Sequence, residues 1–174
     1  ANYDYAGKYL LEVVGRYDGS YRYAPGHRWA FFPSASVGWR ISQEPWWNVK
    51  SEHISNAKVR FSWGSLGNAA GLSNYQYIQT LGISKSDYIL DGLRQNYMSS
   101  PAALPGNLTW ETATTYDIGV DLGFFDNRLT VSGDYYIRKT TDMIVNGPTV
   151  PDVFGASSPK GNYADMSTYG YAVS

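Results

Sequence analysis

The clearest pattern in the sequence is a sustained alternation of apolar and polar positions between Leu108 and Thr141. A period of two residues is typical of extended strands, whose side chains point alternately to two faces of a sheet. The alternation breaks at Asp126-Asn127 and then resumes, which predicts an antiparallel hairpin with a tight turn. The more apolar parity holds Trp110, Thr112, Thr114, Tyr116, Ile118, Val120, Leu122 and Phe124, and after the turn Leu129, Val131, Tyr135 and Ile137.

Each arm of this hairpin is about twice as long as the usual globular strand of about 5–6 residues. A strand that crosses a membrane as part of a barrel needs about 9–11 residues. Aromatic residues gather toward the ends of the apolar parity, as interfacial girdles require: Trp110, Phe124, Phe125 and Tyr135. Long strands also occur in water-soluble sandwiches, so the alternation alone leaves both architectures open.

Four further segments alternate in the same way and bring the predicted strands to six. Leu10 and Val14 interrupt the first segment, and Pro33, which lacks a backbone N–H, is expected at a strand end or bulge. Six strands cannot close a membrane barrel, because the smallest have about eight. We therefore predict an all-β fold, a segment of a large antiparallel transmembrane β-barrel that residues outside this chain complete. The four segments are Lys8–Asp18, Ala30–Ser42, Ala57–Leu66 and Tyr163–Ser174.

The two parities predict two environments. Strand-to-strand hydrogen bonds satisfy the backbone of a barrel, so that apolar side chains can meet acyl chains while polar ones meet a water-filled lumen. The predicted lumen-facing charges, for which pairing with each other or with a plug is favoured over contact with a substrate, are Arg40, Lys58, Arg60, Asp117, Asp121, Asp134 and Arg138. The predicted lipid-facing residues are Val37, Trp39, Val59, Phe61, Ile118, Val120, Leu122 and Val131.

The connections predict an orientation, because outer-membrane barrels have short periplasmic turns and long extracellular loops. Asp126-Asn127 is then periplasmic, together with Gln43–Asn56, which has room for a short helical turn. The predicted extracellular loops are Gly19–Trp29, Gly67–Asn107, which has room for a hairpin of its own, and Gly147–Asn162.

Composition narrows the functional classes. The formal net charge of -1 gives no basic field for nucleic acid. No run of 18 or more apolar residues is present, which excludes helical membrane spans. Cysteine is absent, so disulfides, thiolate catalysis and thiolate metal sites are excluded. Aromatic residues make up 16% of the chain, an excess that suits either interfacial girdles or sugar binding.

We find no catalytic constellation in the sequence, and we expect no metal, no cofactor and no enzymatic activity. His27 and His53 lie alone in loops. Asp117 and Asp121 share a face but would lie about 13 Å apart along a strand, too far for an acid–base pair. The better candidates for recognition are loop aromatics, whose flat faces could stack on sugars or grip peptides. We predict substrate binding by Trp29, Tyr75, Tyr77, Tyr88 and Tyr97; packing between loops or a place among lipid headgroups is the alternative.

Several blocks of this sequence closely resemble the SusC/RagA family of TonB-dependent outer-membrane transporters of Bacteroidetes. They are RYDGSYRYAPGHRWAFFPSASVGWRISQEPWW, AKVRFSWGSLGN, LTWETATTYDIGVDLGFFDNRLTVSGDYYIRKTTDMI and GASSPKGNYADMSTYGYAVS. The resemblance implies a barrel of about 22 strands with a plugged lumen in the cell outer membrane. It also implies import of an oligosaccharide or short peptide, with a SusD-like surface lipoprotein as a lid. TonB would act on a plug and a TonB-binding segment, which match nothing in this chain.

Three other readings of the sequence stay open at this point. A siderophore-type TonB-dependent receptor would share the barrel. A soluble carbohydrate-binding β-sandwich would explain the many Tyr and Trp residues. A surface structural or secretion-associated component would use the same barrel without import.

Overall fold

The structure is a computed structural model that describes residues 1–49, 53–99, 103–104, 106, 108–155 and 158–174. Seven strands of this part of the chain form one antiparallel sheet in the order β1-β2-β3-β4-β7-β8-β9, and β5 and β6 form a separate hairpin. Two short 3₁₀ helices cover Ile41–Gln43 and Asp152–Phe154. The strands are β1 (Asn2–Tyr5), β2 (Tyr9–Gly19), β3 (Trp29–Arg40), β4 (Asn56–Asn68), β5 (Ile83–Leu90), β6 (Leu93–Met98), β7 (Glu111–Phe124), β8 (Leu129–Asn146) and β9 (Lys160–Val173).

The strands of the large sheet run up and down, so their connections fall at two edges. We call one the turn edge, where the connections are residues 6–8, 41–55 and 125–128. We call the other the loop edge, where the connections are residues 20–28, 69–110 and 147–159. The hairpin β5–β6 belongs to the longest connection of the loop edge.

Paired residues of neighbouring strands share a face of the sheet, so the register defines rows that cross it. One face, the apolar face, carries rows of large apolar side chains that are mostly exposed. Its central row is Tyr3, Leu11, Val37, Phe61, Ile118, Tyr135 and Tyr171. The neighbouring row toward the turn edge is Tyr5, Tyr9, Trp39, Val59, Val120, Gly133 and Val173.

The opposite face, the polar face, is built from small, hydroxylated and charged residues. One of its rows is Glu12, Ser36, Ser62, Asp117, Tyr136 and Gly170. The next row toward the turn edge is Leu10, Gly38, Arg60, Gly119, Asp134 and Ala172. Leu10 and Val14, which interrupt the alternation of the first segment, therefore lie on the polar face.

The sheet is a single layer within the described residues. The buried core there consists of Tyr23, Leu72 and Leu108 at the loop edge, and no second sheet packs on the apolar face. A soluble sandwich would bury that face against another sheet. The prediction of an antiparallel all-β fold is confirmed, and the described residues do not form the second layer of a sandwich.

The strand boundaries differ from those predicted at several places. β1 is a strand that the alternation did not predict. A segment as short as Asn2–Tyr5 has too few positions to show a period. β8 continues to Asn146 through irregular pairing near Asp142, and β9 already begins at Lys160, so the loop between them is shorter than predicted. The 3₁₀ turn comes earlier than expected, at Ile41–Gln43. The hairpin expected within Gly67–Asn107 is present as β5–β6.

Pro33 lies inside β3 and not at its end. It pairs with Gly15 of β2, whereas the ladder between β3 and β4 begins at Ser34. Pro33 therefore opposes no residue of β4, and its missing N–H removes no bond from that ladder.

The turn between β7 and β8 covers residues 125–128, two residues more than the predicted Asp126-Asn127 turn. Phe125, Asp126 and Asn127 have φ values of 53°, 55° and 62°. Asn and Asp tolerate this left-handed region better than most residues because their side chains bond locally. Asn127 N–H donates to Ser55 Oγ at 2.9 Å, which ties the turn to the neighbouring connection.

No helix in the described part of the chain is long and apolar enough to cross a membrane.

Candidate functional site

The centre of the polar face holds a charge cluster formed by Arg60, Asp121 and Asp134. Arg60 Nε and Nη2 donate to the two carboxylate oxygens of Asp121 at 2.8 and 3.0 Å. Arg60 Nη2 also donates to Asp134 Oδ1 at 2.8 Å. One guanidinium on β4 therefore joins β7 and β8, in the two-pronged geometry that suits arginine and carboxylate.

Gly119 makes this geometry possible. It is paired with Arg60 on one side and with Asp134 on the other, so the guanidinium passes directly over it. A Cβ at position 119 would lie 2.8 Å from Arg60 Nη2 and would also overlap the Asp134 carboxylate. The bridge from β4 to β8 thus requires a residue without a side chain on β7.

The cluster is half-open to the space above the polar face. The side chains of Arg60, Asp121 and Asp134 are 34%, 31% and 27% exposed. Two carboxylates share one guanidinium, so the three groups carry a net charge of −1 when ionised. Ion pairs that are this accessible to water contribute modestly to stability, because solvent screens the attraction between the charges.

The other predicted lumen-facing residues lie on the same face. Lys58 is paired with Arg40 and with Asp121 across the two adjacent ladders. Arg40 Nη1 donates to the carbonyl of Gly7 at 3.1 Å. Asp117 lies between Ser62 and Tyr136, and Arg138 between Thr115 and Thr168. The structure brings three of the seven into contact and places the others around them.

The loop edge has its own small core, centred on Tyr23. Its ring is fully buried and stacks on Trp110, with ring centroids 4.9 Å apart. Burial raises the pKa of the Tyr23 hydroxyl to about 12. Trp110 also meets the edge of Phe32 and donates its indole N–H to the carbonyl of His27. Trp110 therefore belongs to the loop cluster and not to the strand in which the alternation placed it.

Two loops of this edge are joined by polar contacts. Arg22 Nη1 donates to the carbonyl of Ala69 at 2.9 Å, and Tyr21 Oη donates to Asn74 Oδ1 at 3.1 Å. Arg28 Nη2 donates to Tyr77 Oη at 3.1 Å. The connection at residues 20–28 and the start of residues 69–110 thus form one platform.

The five aromatic residues predicted to bind substrate are not gathered in one place. Trp29 stacks on Tyr17 at the loop end of the apolar face. Tyr75 tilts against Tyr21, and Tyr77 accepts the bond from Arg28. Tyr88 and Tyr97 lie on the β5–β6 hairpin, where the Tyr88 side chain is 86% exposed. Only Tyr75 and Tyr77 are part of the platform.

The turn edge carries a ladder of aromatic rings anchored by Glu44. The ring centroids of successive residues are 6.2–6.4 Å apart along Tyr5, Tyr9, Trp39, Trp46 and Trp47. Tyr9 Oη and Trp39 Nε1 donate to Glu44 Oε1 at 2.7 and 3.0 Å, and Lys8 Nζ lies 3.5 Å from Glu44 Oε2. The bonds from Tyr9 and Trp39 favour the ionised carboxylate and lower the pKa of Glu44.

Two important residues were not singled out from the sequence. The sequence signal for Glu44 was its position in a Trp-rich segment, close to Trp46 and Trp47. The role of Gly119 had no signal in the sequence, because it depends on the register of three strands. Among the described residues, no group of three or more His, Cys, Asp or Glu side chains is arranged to hold a metal ion.

Comparisons with known proteins agree with this architecture. The family model described as TonB dependent receptor-like, beta-barrel, matches residues 1–174. A TonB-dependent receptor of Formosa agariphila is 36% identical over 174 residues, which is 99% of this chain and 17% of that protein. The TonB-dependent receptor SusC of Bacteroides thetaiotaomicron is 34% identical over 153 residues, or 86% of this chain and 15% of that protein. The chain thus spans about one sixth of the length of these relatives.

Solved structures give the same result. The RagAB peptide importer in its open-open state has a TM-score of 0.81 and 26% identity, and the match covers 99% of this chain and 18% of that chain. Its closed-closed state gives a TM-score of 0.80 with 25% identity. The resemblance read from the sequence blocks is confirmed, and the chain belongs to the TonB-dependent receptor-like β-barrel family, in which its relatives include SusC and RagAB.

Proposed function

We propose that the protein carrying this chain is a SusC-like transporter that imports a nutrient, an oligosaccharide or a short peptide, across the outer membrane. The observation that carries the proposal is the agreement of the whole chain with the barrels of this family in sequence and in fold. The likeness to SusC and RagAB favours this reading over a siderophore receptor. In this role the chain supplies barrel wall and outer vestibule, and no catalysis.

The two faces of the sheet fit the two sides of a barrel wall. On this proposal the apolar face meets lipid through Val37, Trp39, Val59, Phe61, Ile118, Val120, Leu122 and Val131. The aromatic ladder at the turn edge and the Tyr17–Trp29 stack at the loop edge lie at opposite ends of that face. Aromatic rings at both ends match the girdles that barrels place at the two membrane surfaces.

The polar face then lines the lumen, and the loop edge is extracellular. The charge cluster of Arg60, Asp121 and Asp134 would lie in a hydrated bore, where partial exposure of charged groups is tolerated. The platform of the loop edge would form part of the vestibule beneath a SusD-like surface lipoprotein. TonB would act through segments that this chain does not contain.

A genetic uptake experiment tests the proposal. A strain that lacks the gene is compared with the complemented strain for growth on a panel of oligosaccharides and peptides, each in the presence and absence of TonB. We expect growth on at least one nutrient to need both the gene and TonB. Growth that depends on the gene only under iron limitation would favour the siderophore receptor, and growth that never depends on TonB would contradict active import.

A further inference from the structure

The apolar face carries apolar spans of equal length on four strands. In each span five successive outward positions hold an apolar residue or glycine. A span therefore covers about nine residues, the length that a barrel strand needs to cross a membrane. Trp29 adds one further outward position to the span on β3. The four spans are Tyr9–Tyr17 on β2, Phe31–Trp39 on β3, Tyr116–Phe124 on β7 and Leu129–Ile137 on β8.

The spans of the β2–β3 and β7–β8 hairpins are not level. In the β2–β3 hairpin the span ends toward the loop edge at the pair Tyr17 and Phe31, three rows from the central row. In the β7–β8 hairpin it ends at the pair Tyr116 and Ile137, one row from the central row. The opposite ends of the two spans differ by the same two rows. The apolar band therefore lies two rows closer to the turn edge on β7 and β8.

This offset measures how the strands are tilted in the membrane. Two rows correspond to about 14 Å along a strand, and the two hairpins are three strand spacings, or about 14 Å, apart across the sheet. A band that is level with the membrane then requires strands inclined by about 43° to the membrane normal. Outer-membrane barrels have strands tilted by about 35–45°. The border of the hydrocarbon layer thus crosses the sheet diagonally.

The diagonal border leaves a polar strip on the outward side of β4, β7, β8 and β9. On β2 and β3 the second and third rows from the central row toward the loop edge hold apolar residues and glycine. On the other four strands the same two rows lie beyond the border, and hydroxylated and charged side chains predominate there. The polar strip consists of Ser65, Thr112, Thr114, Lys139, Thr141, Asp165 and Ser167.

We propose that the polar strip binds the sugar–phosphate headgroups of lipopolysaccharide in the outer leaflet. The strip continues directly from the spans on the same strands, so the lipid that covers the spans carries its headgroups to the strip. Its first row, which includes Thr114 and Lys139, lies about 5 Å beyond the border. The headgroup layer of a bilayer extends about 5–8 Å from the hydrocarbon core. This inference depends on the orientation given in the proposed function.

The composition of the strip favours lipid headgroups over a protein partner. Protein interfaces are enriched in aromatic residues, Met and Arg and depleted in Lys, Asp and Ser. The strip contains Lys139, Asp165 and hydroxylated residues, and it has no aromatic or aliphatic centre. Hydroxyl groups both donate and accept hydrogen bonds, as sugar hydroxyls do, and the Lys139 ammonium can donate to a phosphate.

Spin labels on the intact protein in lipid bilayers test the offset of the band. Val13 and Ile137 lie in the same row, yet Val13 is at the centre of its span and Ile137 at the end. The label at Val13 should therefore be about 10 Å deeper in the bilayer than the label at Ile137. In the row of Tyr5 and Val120 the label at Val120 should be the deeper one, and Tyr5 should lie near the opposite membrane surface. Equal depths within each row would overturn the inference.

Labels at Thr114 and Ser167 test what covers the polar strip. In nanodiscs of phospholipid alone a water-soluble nickel reagent should relax both labels. Nanodiscs that contain lipopolysaccharide should remove this relaxation, because the larger headgroups cover the strip. A label at Thr115, the adjacent residue on the polar face, is the matched control and should respond to nickel equally in both membranes. Circular dichroism checks that each labelled variant keeps its sheet content.

Three results for the strip would overturn the inference. They are nickel relaxation at Thr114 and Ser167 that lipopolysaccharide does not change, protection from nickel already in phospholipid alone, and relaxation by oxygen as strong as at Val13. The second result would indicate a protein partner, and the third would place the strip in hydrocarbon. None of them affects TonB-dependent growth on a nutrient. Loss of that dependence would contradict the proposed function itself, so the two failures are separable.

Discussion

The two faces of the large sheet share one backbone but carry different kinds of side chain. The apolar face exposes whole rows of large side chains, including the central row that contains Phe61, Ile118 and Tyr135. Soluble proteins rarely expose apolar patches beyond a few hundred Å². The polar face, one residue away at every position, carries a charge cluster that is about one third exposed.

This contrast teaches that the two faces are stabilised differently. On the proposed orientation the apolar face meets lipid, so its stability depends on apolar side chains throughout and a charge should be costly anywhere near its middle. On the polar face it comes from particular contacts, so only the residues that make those contacts should matter. The following substitutions separate these two kinds of dependence.

The largest effect is expected from a charge on the central apolar row. Ile118→Arg places a guanidinium near the middle of the proposed hydrocarbon layer, which should cost roughly 2–4 kcal/mol of folding free energy. Ser62→Arg, on the polar face beside Asp117, is the matched control and should cost far less. Denaturant unfolding from liposomes measures both. Equal costs for the two variants would contradict the proposal that one face contacts lipid and the other water.

The second-largest effect is expected from adding a side chain at Gly119. Gly119→Ala puts a methyl group where the Arg60 guanidinium and the Asp134 carboxylate now lie, and the displacement should cost roughly 1–3 kcal/mol. Gly133→Ala is the control, because a Cβ there meets nothing within 4 Å. If both alanines had the same effect on the unfolding midpoint, the close passage of Arg60 over β7 would be wrong.

A smaller effect is expected from the charge cluster itself. Arg60→Ala leaves Asp121 and Asp134 without the shared guanidinium and should cost about 1 kcal/mol, since the groups are partly exposed to water. Arg138→Ala, on the same face, should have little effect. The loss in Arg60→Ala should shrink when salt is added, because screening weakens the pair already in the wild type. A salt-independent loss would point to packing of the side chain instead.

The smallest effect concerns pH at the turn edge. Because the pKa of Glu44 is lowered in the folded protein, its ionised form stabilises the fold at neutral pH. That contribution is lost as the pH falls through the lowered pKa. Glu44→Gln should therefore be less stable than wild type at neutral pH, and the two unfolding midpoints should converge in acid. Asp87→Asn on the exposed β5–β6 hairpin serves as the control. If the midpoints of Glu44→Gln and wild type differed by the same amount from neutral to acidic pH, a role for the Glu44 charge would be excluded.

Much of the large sheet could be predicted from the sequence because its signal is local. Alternation depends only on neighbouring residues, so the faces of β2, β3, β4, β7 and β8 and the turn between the last two follow from it. The closed barrel was predicted from the resemblance to a family. Six strands with unpaired edges indicate only that further strands must complete them. β1 escaped prediction because four residues are too few to show a period.

The contacts between strands could not be predicted in the same way. Whether Arg60 contacts Asp121 depends on the register of β4 against β7. Residues 69–110 separate these strands, so no local sequence pattern predicts that register. Trp110 has the parity of a strand residue, yet its stacking on buried Tyr23 draws it into the loop cluster. A groove at the loop edge likewise combines residues 74–80 with Asn146 of β8 and Lys160 of β9, which lie far apart in the sequence.

The most direct test of the assignment of faces is the accessibility of spin labels in the membrane-embedded protein. Labels at Val59, Val120 and Val131 report on the apolar face, and labels at Ser62, Asp121 and Ser132 on the polar face. We predict that oxygen dissolved in the bilayer relaxes the first set and that a water-soluble nickel reagent relaxes the second. Equal relaxation of both sets by nickel would contradict a wall that separates lipid from an aqueous lumen.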